Sequence, residues 1–262
     1  MRSEHSILII NADDFGFNEA VNRAILESFK LGLCSSATLM ANMPGFEEAC
    51  CLAREHKLAN HVGIHLVLSE GYPLTEGVKK YTRLCNQEGG LALRSMARPV
   101  FFLGTPEKYA LADEVRAQIK RCRAFGVPLT HLDSHKNLHN HWAVLQVLIP
   151  ILREDSIAYV RIARNCGSRI GFRKNCYKRL VNHQLRRTGL CRTRYFGSPE
   201  DYWFLRGGRG ATLVGSFEVG IHPLLDDSGA LIDALTRQAL GPLIKAIDPH
   251  QEAVSFAGPP HV

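Results

Sequence analysis

Two adjacent carboxylates, Asp13 and Asp14, stand in the stretch Asn11-Ala12-Asp13-Asp14-Phe15-Gly16, directly after the apolar run Ser6-Ile7-Leu8-Ile9-Ile10. Paired carboxylates can hold a cation or move a proton. They can equally cap a helix, since Asp and Asn are ordinary cap residues. The rest of the chain decides between these readings. His65 is the one polar side chain in the apolar run Val62-Gly63-Ile64-His65-Leu66-Val67-Leu68, Asp133 and His135 close the run Thr130-His131-Leu132-Asp133-Ser134-His135, and His222 follows Ser216-Phe217-Glu218-Val219-Gly220-Ile221. One carboxylate with two imidazoles is a usual donor set for a catalytic divalent ion that keeps positions open for water. The remaining carboxylates and imidazoles can then act as general base, orienting partner and general acid. Each residue also has a duller explanation: a lone buried His is usually a hydrogen-bonded core residue, and His131, His135, His139 and His141 could form a solvated loop. Their joint occurrence at four strand ends carries the argument.

Those groups share a pocket only if the elements bearing them are parallel strands with their C-terminal ends on one face. Apolar runs at 7–10, 35–40, 62–68, 128–133, 158–162 and 216–221 read as strands, with a final one over 253–256. Helical periodicity falls at 18–30, 46–56, 110–125, 142–153, around 177–187 and at 232–246. Adjacent residues of a regular strand point to opposite faces, so Asp13 and Asp14 reach one pocket only if the strand is ending there, which Gly16 suits. Strand and helix alternate without a linker-like break or an internal repeat, which favours one α/β domain with a parallel sheet, open or closed. Residues 75–106 are weakly patterned and read as a long insertion or lid over one end of the fold.

The chain has 262 residues, 45% of them hydrophobic and 22% charged, a soluble globular balance with ample material for a core. No run of about 18 apolar residues is long enough for a membrane span, and the N-terminal run is too short for a signal peptide. The eight cysteines form no C-x-x-C pair and read as reduced thiols, so a cytoplasmic location is expected. The net charge of +7 is uneven: residues 161–194 hold eleven Lys or Arg and no Asp or Glu, so the rest of the chain sums to −4. A segment of that kind, overlapping a basic insertion over 163–212, can hold a nucleic acid, an anionic membrane surface or a phosphorylated substrate. Its few aromatics argue against a single-strand stacking platform.

The motifs at Asn11–Gly16, Gly63 to Leu74, Thr130 to His135 and Glu218 to Pro223 resemble, in order, those of the YdjC-like carbohydrate deacetylases, which include chitooligosaccharide deacetylases and hopanoid-associated relatives. The resemblance runs from residue 7 to about 240. It implies a single-domain distorted TIM-like (β/α) barrel with parallel strands, and metal-dependent hydrolysis of an N-acetyl group on an amino sugar or oligosaccharide. Carried onto this chain, it makes Asp14, His65 and His135 the ligands of one divalent metal ion, with Mg²⁺ the first choice and Zn²⁺ or Mn²⁺ the alternatives. Asp13 matches the general base and His222 the general acid. His131, Asp133, Arg161 and Glu70 match supporting or substrate positions. The chain departs from the family at Lys136-Asn137-Leu138-His139 and over 240–262. The expected partner is a small-molecule or oligosaccharide substrate, phosphate- or lipid-linked in one version, in a protein that could form a homo-oligomer. The rivals are another divalent-metal hydrolase, acting on a phosphoester or a different amide, and a non-catalytic nucleic-acid binder using the basic segment.

Overall fold

A computed structural model of the chain describes residues 7–93, 99–167, 171–207, 214–250 and 252–257. Seven parallel strands make one sheet: β1 (Ile7–Phe15), β2 (Ser36–Leu39), β3 (Val62–Leu66), β4 (His131–Ser134), β5 (Tyr159–Val160), β6 (Tyr195–Gly197) and β7 (Ser216–Ile221). The spatial order is β5-β4-β3-β2-β1-β7-β6, so β1, with the Asp pair, is flanked by β2 and β7. Residues 191–197 touch both edges of this sheet. Cys191 exchanges backbone hydrogen bonds with β5, accepting from Val160 and donating to the Ala158 carbonyl, while β6 pairs with β7. The sheet is thereby curled into a TIM-like α/β barrel.

The crossovers are the helices α1 (Glu19–Lys30), α2 (Phe46–Glu55), α3 (Thr105–Ala124), α4 (Trp142–Glu154), α5 (Phe172–Arg187) and α6 (Pro199–Gly207), and α7 (Leu240–Ile247) follows the last strand. They cover the outer face of the sheet, and β1, β2 and β3 are buried nearly throughout. The inner face is different. Asn11, Asp13, Thr38, His65, His131, Asp133 and Glu218 occupy alternate strand positions and are at most 5% exposed. Period two therefore sorts apolar side chains to the helices and polar ones to the barrel interior. Gly63 belongs to this inner row, and a Cβ there would lie 2.5 Å from both the ring and the carbonyl oxygen of His131.

Several local expectations need correction. The helix expected over 232–246 is instead a strand, a turn and a short helix: β9 (Leu231–Asp233) pairs antiparallel with β8 (Pro223–Leu225), and α7 begins only at Leu240. Ile232, Leu240 and Leu243 happen to repeat at helical spacing, but Asp233 accepts from Leu235 and Thr236 N–H groups and turns the chain. No strand forms over 253–256; the Val254 N–H donates to Leu8 at 2.8 Å and Phe256 stacks on His131 at 3.9 Å between ring centroids. Strand β6 and helix α6 went unread, three residues being too short for a periodicity. The segment before α3 packs Val78, Leu84, Leu91 and Leu93 into the core, and Glu114 of α3 accepts hydrogen bonds from the Leu74 and Thr75 backbones.

Candidate metal and active site

Strand β1 does not stop before the Asp pair. It continues to Phe15, with its register to β2 shifting between Ala12 and Phe15, and Asp14 sits at φ 70°. A non-glycine residue in that left-handed region is uncommon and costs backbone strain. This bulge cancels the strand alternation, so consecutive carboxylates enter one pocket, which a regular strand forbids. The turn is fastened behind it: the Gly16 N–H donates to Asn22 Oδ1 at 2.7 Å, and Asn22 Nδ2 in turn donates to Gly45 O and to Glu48.

Asp14 Oδ1 lies 3.1 Å from His65 Nε2 and 2.9 Å from His135 Nδ1. One donor atom from each residue falls within 4.8 Å of the others. Separations near 3 Å are what metal–ligand distances of about 2.1 Å require around one ion. The other ring nitrogen of His65, Nδ1, is 2.7 Å from Asp133 Oδ1, and Thr38 Oγ1 donates to Asp133 Oδ2 at 3.1 Å. A carboxylate behind an imidazole fixes the ring and leaves Nε2 as the ligand atom. The donor types, spacing and backing carboxylate therefore fit a divalent ion. Desolvation alone would lower the His65 pKa, but Asp133 and then Asp14 and Asp13 raise it to about 10. Burial opposes ionisation of Asp14, yet hydrogen bonds from His135 and His65 hold its carboxyl far below the usual range.

Asp13, in the same pocket, forms a bidentate pair with Arg161: Nη2 to Oδ1 and Nη1 to Oδ2 are both 2.7 Å. Burial again opposes ionisation, and Arg161 overcomes it, holding the Asp13 carboxyl well below its ordinary value. Arg161, itself 1% exposed, also meets Asp133 at 2.7 Å and Glu218 at 2.5 Å, and lies over the Phe196 ring. Three carboxylates thus converge on one guanidinium. Desolvation pushes the Glu218 carboxyl up to about 7 against the pull of Arg161, and its Oε2 has no partner among the described residues.

His222 leaves the end of β7 with Nε2 3.8 Å from Asp13 and Nδ1 3.9 Å from Asp233. Its backbone N–H donates to Asp233 at 2.8 Å, so β9 positions the ring. His131 sits one layer deeper, between Asn11 and Thr130, with its pKa pushed down by burial and then by Arg161. Glu70 stands behind His135 Nε2 at 3.3 Å and pairs with Lys136. His139 turns away to Ser134 and the Arg161 carbonyl. A cavity of about 510 Å³ opens over Asp13, Asp14, His65, His135 and His222, with Arg164 and Lys178 on its far wall.

The structure brings together Asp13, Asp14, His65, Glu70, His131, Asp133, His135, Arg161 and His222, leaves His139 and His141 outside the cluster, and adds Thr38, Glu218 and Asp233. Glu218 was visible as a carboxylate inside an apolar strand. Asp233 was hidden by the helix read over it.

A curled α/β barrel with a polar interior and an Asp–His–His cluster at its strand ends defines a class, and the comparisons narrow it. Residues 7–237 match the family model of YdjC-like proteins, and the chain belongs to that family. Curated relatives include a carbohydrate deacetylase of Brevibacillus brevis, 42% identical over 147 residues, and one of Vibrio parahaemolyticus, 31% identical over 159. These alignments cover 56% and 57% of the relatives' length, so little more than half of each is matched. Among solved structures, a proposed cellobiose-phosphate cleavage protein of Enterococcus faecalis aligns with TM-score 0.68 at 22% identity, over 96% of this chain and 97% of that one. A lactam utilization protein of Thermus thermophilus aligns at 0.53 with 15% identity, over 96% and 100%. At such identities both speak to the fold alone.

Proposed function

We propose that the protein is a divalent-metal-dependent carbohydrate deacetylase, hydrolysing the N-acetyl group of an amino sugar or oligosaccharide and releasing acetate. The observation that carries this reading is the Asp14–His65–His135 cluster lining one cavity with two further titratable groups, Asp13 and His222, which lie 3.8 Å apart. The names of the curated relatives point the same way. Asp14, His65 and His135 would hold the ion, which supplies carbonyl polarisation and a more acidic water, each worth several kcal/mol of barrier in comparable sites.

The chain's own residues do the rest. Asp13, kept ionised by Arg161, is a fixed acceptor for the proton of the attacking water. His222 lines the same cavity, its Nε2 3.8 Å from Asp13, and donates a proton to the departing amine nitrogen, with Asp233 holding its backbone. Asp133 keeps His65 in one tautomer, and Glu70 steadies His135 from behind.

The test is acetate release from a panel of N-acetylated sugars by metal-stripped protein re-supplied with single divalent ions, Mg²⁺, Zn²⁺ or Mn²⁺. Ion-dependent release is expected. Silence across the panel with stoichiometric ion bound would remove the deacetylase reading and leave the rival metal hydrolases.

A narrower version has the substrate carry a phosphate. It is supported by Lys178, which is half-buried on the cavity wall and forms no ion pair with a described residue, and whose pKa is lowered by burial and then by Arg164 and Lys174. Equal turnover of neutral and phosphorylated N-acetylated sugars would exclude it.

A further inference from the structure

Helix α5 has a buried face and an outward face, and the two are chemically unlike. Val181, Asn182 and Leu185 are buried. Asn182 fixes the helix by exchanging two hydrogen bonds of 2.8 Å with the backbone of Ala163. At 100° per residue the opposite side carries Phe172, Cys176 and Leu180, spaced i, i+4, i+8, beside Arg173, Arg179, His183, Arg186 and Arg187. All of these are exposed, Phe172 at 83% and Leu180 at 47%. A single exposed apolar side chain means little. Here an apolar stripe lies among cations: the helix holds six Lys or Arg and no Asp or Glu, and none of the six forms a salt bridge with a described residue.

We propose that the outward face of α5 docks the protein onto an anionic phospholipid bilayer. Exposed apolar side chains flanked by Lys and Arg are what an interfacial helix needs: the stripe enters the headgroup boundary and the cations meet lipid phosphates. Charge supports that occupant over others. Helix α5 carries six cations and no acidic residue, while the chain outside residues 161–194 sums to −4, so an anionic surface attracts this face and repels the rest, setting the orientation. A second copy of the chain would oppose six cations to six. A nucleic acid would use the cations and stack a base on Phe172 but leave Cys176 and Leu180 with nothing to bury, since neither Leu nor Cys offers a stacking face. The docked helix is also a wall of the cavity, through Lys178.

The experiment is co-sedimentation of the full chain with vesicles of phosphatidylcholine alone or with about a third phosphatidylglycerol, an anionic fraction large enough to attract a basic helix. Partitioning onto the anionic vesicles only, weakened by high salt, is expected. Phe172→Ser with Leu180→Ser should lower it on the order of tenfold, because apolar burial is removed. Arg173→Glu with Arg179→Glu should lower it by at least as much. All four residues are exposed, and circular dichroism checks that the variants remain folded. No sedimentation with anionic vesicles at low salt would overturn the proposal. So would charge-reversal loss without any loss in the Ser variant, the behaviour of a plain polyanion site such as one for nucleic acid.

Discussion

Arg161 and Asp13 are joined by two parallel hydrogen bonds of 2.7 Å, both ends buried, at the point where β5 and β1 face each other across the barrel interior. The planar guanidinium fork fits the carboxylate in a way that an ammonium cannot. Arg161 also spans to Asp133 and Glu218, so one cation organises Asp13, Glu218 and the carboxylate behind His65.

Arg161→Lys keeps the charge and loses the fork. Acetate release is expected to fall at least about a hundredfold, chiefly in kcat, with bound metal retained. Arg161→Ala leaves buried carboxylates uncompensated and should destabilise the fold by about 3–5 kcal/mol. Steady-state kinetics and denaturant titration read the two effects separately.

Metal binding should release a proton and tighten with rising pH. His65 without an ion is held protonated up to about 10, and its Nε2 must be bare to act as a ligand. Calorimetry in buffers of different ionisation enthalpy measures the proton count. Asp133→Asn should weaken metal affinity about 10–100-fold by freeing the ring.

Glu218 gives a pH signature of opposite sign to those of Asp13 and Asp14. With its pKa raised from 4.5 to about 7, the folded state binds this proton more tightly than the unfolded chain does. Its contribution is therefore complete below 4.5 and declines as pH rises to about 7. Asp13 and Asp14, whose values are depressed, contribute above their ordinary 3.8 and lose that contribution only in strong acid. Glu218→Gln should flatten the dependence of Tm on pH across the window from 4.5 to 7, measured on metal-free protein.

Gly63→Ala should destabilise without touching the site's chemistry directly. A Cβ placed 2.5 Å from His131 must displace the ring or the strand, an overpacking cost of about 1–3 kcal/mol. Thermal unfolding beside the wild type checks it.

Much of this was legible because parallel strands in an α/β barrel write two codes at once. Continuous apolar runs marked the strands, and isolated polar residues within them, His65 and Asp133 above all, marked the inner face. The Asp14 bulge was not legible: a backbone at φ 70° leaves no periodic trace, so a strand end was the reading that let both carboxylates share a pocket. Asp233 was lost for the reverse reason. Ile232, Leu240 and Leu243 imitate a helical repeat, and only the hydrogen bonds of Asp233 to the turn after β9 break it. Strand β6 closes the sheet with three residues, too few for any sequence pattern.

The most direct test separates the residues that would hold the ion from those that would move protons. Asp13→Asn and His135→Ala are compared with wild type, each assayed for bound divalent ion and for acetate release from the best N-acetylated sugar. The expected result is stoichiometric ion with lost turnover in Asp13→Asn, and loss of both in His135→Ala. Full turnover in Asp13→Asn, or stoichiometric, tightly held ion in His135→Ala, would contradict the division of labour on which the mechanism rests.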